Sequence, residues 1–250
     1  MQIENIQNLL SIYNSTKKKY EDELIAEKLP KIKTLLTEYT ITNNKYLEWN
    51  KTNAIDYNIF EILNIRHLET KTHTPFLVNL LKPNSTHGQG LLFYNLLLEQ
   101  IKFNKNSQKI EKFKTSKIEV FEEKSTANYG RIDILIQSKG NEEPFALIIE
   151  NKIYASDQDM QLERYYKYCT RVLGLKDDNI LLIYLSPEGN MASESSMDIE
   201  KQNSLINNNV LVNLGYKKNI QPLLNESLHK IEAQNVKTLI KQYIEIIKNL

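Results

Sequence analysis

Between residues 118 and 187 the chain alternates short apolar runs with polar interruptions at the spacing of β-strands. In Ile118–Glu123, residues Ile118, Val120 and Glu122 fall on one face and Glu119, Phe121 and Glu123 on the other. Ile132, Ile134 and Ile136 then share one strand face, which sets Asp133 on the opposite face beside Arg131 and Leu135. The run Phe145–Ile153 begins apolar on both faces, the signature of a strand in the middle of a sheet. Polarity enters only at its end, where Glu150 and Lys152 share one face and Asn151 points the other way. A turn around Lys139–Gly140–Asn141 joins these two strands. Residues 179–187, with ILLIYLS, predict a further buried strand, and Val210–Leu214 a short last one.

Helical spacing fills the remainder. Leu162, Tyr165, Tyr166, Cys169 and Leu173 recur at steps of three or four, with capping residues at Ala155–Ser156–Asp157. A strand, this helix and the strand at 179–187 make a β–α–β unit, which requires a parallel pair. The fold class is therefore α/β, with a mixed central sheet flanked by helices. Upstream, Ile59, Phe60, Ile62, Leu63 and Ile65 predict an apolar helix face. Thr74–Pro75 is a helix start, with Thr as cap and Pro at the first position, and the helix runs to Leu81. Residues 84–90 read as a loop, Leu91–Phe103 as another helix, and 188–209 as a polar loop. Helices around Lys218–Ile231 and Val236–Leu250 finish the chain. Residues 1–55 predict one or two amphipathic helices interrupted at Pro30, an N-terminal extension to a domain spanning 56–250.

Composition narrows the function classes. The chain has 250 residues, 41% of them hydrophobic, and a formal net charge of +1. That is enough for one elaborated domain with a sizeable core. The balanced charge gives no global attraction for nucleic acid, so any phosphate-binding surface is local. The most basic stretch carries Lys102, Lys105, Lys109, Lys112, Lys114 and Lys117, and reads either as a backbone-contacting segment or as an ordinary connection. Lys17–Lys18–Lys19 reads as a solvated helix face. The single cysteine, Cys169, belongs to a packing face and excludes disulfide frameworks within one chain. His73 and His87 stand 14 residues apart with no third soft ligand nearby, a pattern for loop-fixing histidines rather than zinc. No basic start precedes an apolar core at the N-terminus, and no stretch reaches the roughly 18 apolar residues of a membrane span. The expected location is cytoplasmic.

The candidate chemistry lies at the strand ends. Two convergent carboxylates, Asp133 and Glu150, make a hard-oxygen site of the kind Mg²⁺ takes together with water and phosphate oxygens. A lysine two residues on, Lys152, can hold the attacking water and offset phosphate charge. Such a kit suits metal-assisted phosphodiester hydrolysis. By itself the pattern is more often that of charges solvated or paired across a sheet.

The combination GRIDILI, ALIIENKI and QLERY resembles the core of the PD-(D/E)XK nuclease superfamily, and more narrowly its bacterial branch with an I-E-N-K-I strand. Glu69…His73–Thr74, LLKP, STHGQG and the closing QYI segment are similar to the same family, with Thr74 for its usual serine and Lys82 for a frequent acidic residue. The resemblance implies a restriction-endonuclease-like fold and a Mg²⁺-dependent (or Mn²⁺-dependent) nuclease acting on DNA, in restriction, phage defence or DNA processing. Asp133, Glu150 and Glu69 would bind metal, with Glu61 a lesser rival to Glu69. Lys152 would position or activate water, and Gln161 would orient Lys152 or water. A homodimer and a separately encoded partner are compatible with it. So are a catalytically silent binding or assembly subunit, and a toxin-like nuclease docked through the N-terminal helices.

Overall fold

Five strands lie in the simplest possible order. They are β1 (Ile118–Ser125), β2 (Arg131–Ser138), β3 (Ala146–Asn151), β4 (Ile180–Ser186) and β5 (Leu211–Gly215), hydrogen-bonded in sequence order. β1, β2 and β3 pair antiparallel, whereas β3, β4 and β5 pair parallel, so the sheet is mixed as the β–α–β pattern requires. The computed structural model describes residues 2–54, 57–101, 108–114, 117–140 and 143–250, apart from the side chains of 2–4 and 108. Asn141, in the predicted turn, lies outside the described residues, as do Lys102 and Lys105.

Helices follow as α1 (Gln2–Asn53), α2 (Ile59–Ile62), α3 (Thr74–Leu81), α4 (Leu92–Glu99) and α5 (Gln108–Phe113). After the β2–β3 hairpin come α6 (Gln161–Lys167), α7 (Ile199–Asn207), α8 (Gln221–Lys230) and α9 (Gln234–Ile247). Each sheet face has its own core. On one, Ile134, Ile136, Leu147, Ile149 and Ile183 pack in a cluster with residues of α3, α4, α8 and α9. On the other, Leu135, Ile148 and Leu182 pack with Leu162, Tyr165 and Cys169 from α6 and the turn after it. All six residues of β3 are buried, which is why its sequence is apolar on both faces. Truncating such a side chain to alanine costs about 2–5 kcal/mol.

The structure departs from the sequence reading in several places. α2 is a single turn in which Phe60 is buried and Ile59 and, beyond it, Ile65 pack against the core, whereas Ile62 and Leu63 of the predicted apolar face are exposed at 53% and 58%. Asp157 does not cap a helix. α6 begins four residues later, after Met160 in the left-handed region (φ +50°), and Asp157 accepts hydrogen bonds from the Tyr184 hydroxyl and the Ser193 N–H. The predicted loop 188–209 contains α7, capped by Asp198 through the Lys201 N–H. Ile132 joins the α6-side cluster instead of sharing a face with Ile134. Opposite this point on β1, Glu123 lies between the residues paired with Ile134 and Ile132 and has a φ of +45°.

The chain divides into two units, Met1–Tyr57 and Asn58–Leu250. The predicted boundary at 55/56 falls on residues outside those described. Within the first unit, α1 runs unbroken through Pro30, so proline does not split it into two helices. Its Lys17 and Lys19 sit 4.0 Å from Glu21 and Glu23, and Lys31 sits 2.9 Å from Glu27, the i,i+4 pairing of a solvated helix. No helix among the described residues is long and apolar enough to cross a membrane.

Candidate active site

The pairing of β2 with β3 brings the predicted carboxylates together. Ile134 pairs with Ile149, so one step further along the antiparallel ladder Asp133 lies beside Glu150. Asp133 is half-buried and Glu150 is 1% exposed. The Asn151 N–H donates to Asp133 Oδ2 at 3.0 Å, which ties the carboxylate to the end of β3. Lys152 is the first residue past the strand. Its N–H donates to the Leu185 carbonyl at 2.8 Å, keeping the chain alongside β4 while the side chain turns back to Glu150.

Glu150 is held from one side only. Lys152 Nζ lies 2.9 Å from Oε1, and Gln161 Nε2 donates to the same oxygen at 2.5 Å. Gln161 opens α6, and its own oxygen accepts the Gln158 N–H. Its amide also donates to the Tyr165 hydroxyl, which in turn donates to the Arg131 carbonyl at 2.6 Å. Gln161 therefore meets Glu150 directly, where the sequence reading had it orient Lys152 or water. Tyr165 is a packing residue with its hydroxyl committed to backbone. Glu150 Oε2, by contrast, is buried without any hydrogen-bond partner. An ionised oxygen left unpaired in a low-dielectric setting is costly.

The electrostatics agree. Burial, then the neighbouring Asp133, pushes the Glu150 carboxyl up to about 8, against the opposing pull of Lys152. Burial pushes Asp133 up to about 6, with Glu69 and Glu123 adding to it and the Asn151 N–H and Lys152 opposing. Burial alone would lower Lys152, but Glu150, Asp133 and Glu69 outweigh it and raise its pKa, so the side chain is an ammonium. One cation faces two crowded carboxylates. The site is short of positive charge.

Glu69 reaches the same corner. It opens a π-turn, Glu69–His73, and its Oε2 accepts the N–H groups of Ile153 (2.6 Å) and Tyr154 (3.3 Å), immediately after Lys152. Glu61, the other candidate, instead pairs with Arg66 at 2.9 Å on an exposed surface. Both histidines fix backbone. Buried His73 sets Nε2 2.7 Å from the Arg66 carbonyl and Nδ1 3.0 Å from the Tyr243 hydroxyl. A carbonyl only accepts, so Nε2 carries the proton, and burial lowers the pKa of the ring, which keeps it neutral. His87 accepts the Gln89 N–H and donates to the Lys82 carbonyl in the 84–90 loop. Of the basic stretch, Lys109 is buried on the carbonyls of Asp177 and Asn209, Lys112 pairs with Glu143 and Lys114 with Glu111.

Sequence reasoning missed Asn151 as a structural hub, although a polar residue closing a strand buried on both faces was the available signal. It also missed Tyr184, whose place beside Glu150 on β4 follows from the parallel register.

Among the described residues no group of three or more His, Cys, Asp or Glu forms a ready metal-binding cluster. Two adjacent carboxylates, one half-buried and one buried with an orphaned oxygen, nevertheless suit a hard divalent cation that completes its shell with water. A mixed sheet with such a pair and a lysine at its strand ends fits a restriction-endonuclease-like fold. A family model described as the PD-(D/E)XK nuclease superfamily matches residues 57–249. The chain belongs to that superfamily. No curated protein and no solved structure matches it.

Proposed function

We propose that this chain is a Mg²⁺-dependent nuclease that hydrolyses phosphodiester bonds in DNA, of the bacterial branch with an I-E-N-K-I strand, working in the cytoplasm in restriction, phage defence or DNA processing. The observation that carries the reading is the unpartnered, buried Oε2 of Glu150 beside Asp133. Asp133 and Glu150 would hold the metal, and Glu69 would border it from the π-turn. Mn²⁺ has the same hard-oxygen preference and is an alternative occupant. A divalent ion bound there supplies an acidified water and neutralises charge on the phosphoryl oxygens.

The remaining work falls to the chain itself. Lys152, an ammonium, holds its proton and donates hydrogen bonds, so it orients the attacking water and offsets phosphate charge instead of acting as a base. Gln161 and Lys152 both donate to Glu150 Oε1, which fixes the carboxylate rotamer and would leave its other oxygen for a metal. Cleavage of supercoiled plasmid and single-stranded DNA in Mg²⁺, Mn²⁺ or EDTA tests the reading. Wild type is expected to cut only with metal, and Lys152→Ala to lose about 10²–10⁴-fold in rate. Cutting in EDTA, or unimpaired cutting by Lys152→Ala, would remove this site from the reaction.

A second reading is a catalytically silent relative that binds nucleic acid or assembles with a partner. It is favoured by Glu69, whose Oε2 is already taken by two backbone N–H groups, leaving two carboxylates for an ion. Calorimetric Mg²⁺ titration separates the two readings, since the silent relative binds no metal at millimolar concentration.

A further inference from the structure

Asn151 stands between Glu150 and Lys152 and is 0% exposed. On the sheet face opposite the carboxylates its amide makes two bonds that leave the strand. Nδ2 donates to Thr74 Oγ1 at 3.0 Å, and Oδ1 accepts the Tyr216 hydroxyl at 2.8 Å. Thr74 begins α3 directly after the π-turn that carries Glu69. Tyr216, itself 0% exposed, begins the π-turn that follows β5. The backbone N–H of the same Asn151 holds Asp133 Oδ2 on β2. This one residue thus touches, by covalent or hydrogen bond, the segments bearing Asp133, Glu150, Lys152 and Glu69.

We infer that Asn151 is a positioning residue, whose side-chain amide fixes the Glu69-bearing turn against the β2–β3 carboxylate pair. Its catalytic meaning rests on the nuclease reading above, but its structural content does not. A hydroxyl on one side and a hydroxyl-plus-helix on the other satisfy both ends of a planar amide, so rotation of the Asn151 side chain is blocked at each end. Glu69 closes the loop by bonding the N–H groups of Ile153 and Tyr154, two and three residues beyond Asn151. The two attachments clamp the chain on either side of Lys152. Loss of the Asn151 attachment leaves the Glu69 bonds to Ile153 and Tyr154 to hold this end of the turn against the strand.

Three variants of the full chain test this: Thr74→Val and Tyr216→Phe, which remove one hydroxyl each, and Asn151→Ala. The first readout is amide hydrogen exchange without metal. At Ile153 and Tyr154 each variant is expected to exchange at least about 10-fold faster, while β4 amides keep wild-type protection; Thr74→Ser, which retains the hydroxyl, should recover it. The second is cleavage kinetics in Mg²⁺, where kcat should fall about 10–100-fold with KM held within about 2-fold. Unchanged exchange at 153 and 154 overturns the inference. So does an equal loss of protection throughout β4, because Asn151 would then be supporting the whole fold. Faster local exchange in a protein that cuts no DNA, wild type included, upholds the tie and sinks the nuclease reading.

Discussion

Glu150 and Asp133 ionise only at a cost, and that cost has a definite pH dependence. A carboxyl whose folded pKa lies above its unfolded value binds its proton more tightly when folded. Stability is therefore lost as pH rises from the unfolded value toward the folded one. Here the window runs from about 4 up to about 6 for Asp133 and about 8 for Glu150. Lys152, raised, contributes evenly across this range. In EDTA the thermal midpoint is expected to fall between pH 5 and 8, by an amount on the order of a few kcal/mol of unfolding free energy, and Mg²⁺ should restore it progressively more as pH rises. Differential scanning fluorimetry at half-unit pH steps checks this; a midpoint that rises through the window, or a Mg²⁺ effect equal at both ends, contradicts the site as described. Cys169 gives a second expectation. Fully buried, with its pKa pushed up to about 12 by burial, the thiol should ignore a water-soluble disulfide reagent in the native protein and react at once in denaturant.

Among the elements, α1 sets a clear case. Pro30 removes one backbone donor and crowds the carbonyl a turn before it, yet the helix continues through it, with Thr34 Oγ1 donating to the Pro30 carbonyl at 3.1 Å. Pro30→Ala restores the missing bond and should stabilise the helix locally by up to about 3 kcal/mol. Slower amide exchange over residues 26–34 measures it, and unchanged exchange would mean the helix is held by something other than its own ladder. The same helix shows where sequence reading ends. Proline's local rule is strong, but the helix runs unbroken past it, with ion pairs at Lys17–Glu21 and Lys19–Glu23 before it and Lys31–Glu27 across it. The strands were legible because burial on one or two faces writes itself as a period of two, and the Asp133, Glu150 and Lys152 positions followed from that register. The start of α6 was not, because a left-handed Met160 and not a capping side chain turns the chain into it. Nor was the bond from Asn151 to Thr74 and Tyr216, since partners 77 and 65 residues away in sequence leave no periodic trace.

At the scale of the molecule, both buried clusters are drawn from Phe60 onward. A chain beginning at Asn58 is therefore expected to unfold cooperatively and to keep the metal response of the full protein. Calorimetric unfolding of that truncation with and without Mg²⁺ checks it. A broad, non-cooperative transition would show that the N-terminal unit is required for folding, and retained folding with lost cleavage would assign it to activation. The sheet order has a further outcome, in time. Ribosomes release the β2–β3 hairpin, and with it Asp133, Glu150 and Lys152, well before Tyr216, which bonds Asn151, and Tyr243, which holds the His73 ring. A nascent chain carries the carboxylates long before it can lock them. The charges of the site are thus made first and their ties later, so a chain still being synthesised holds its carboxylates without the geometry of the folded site.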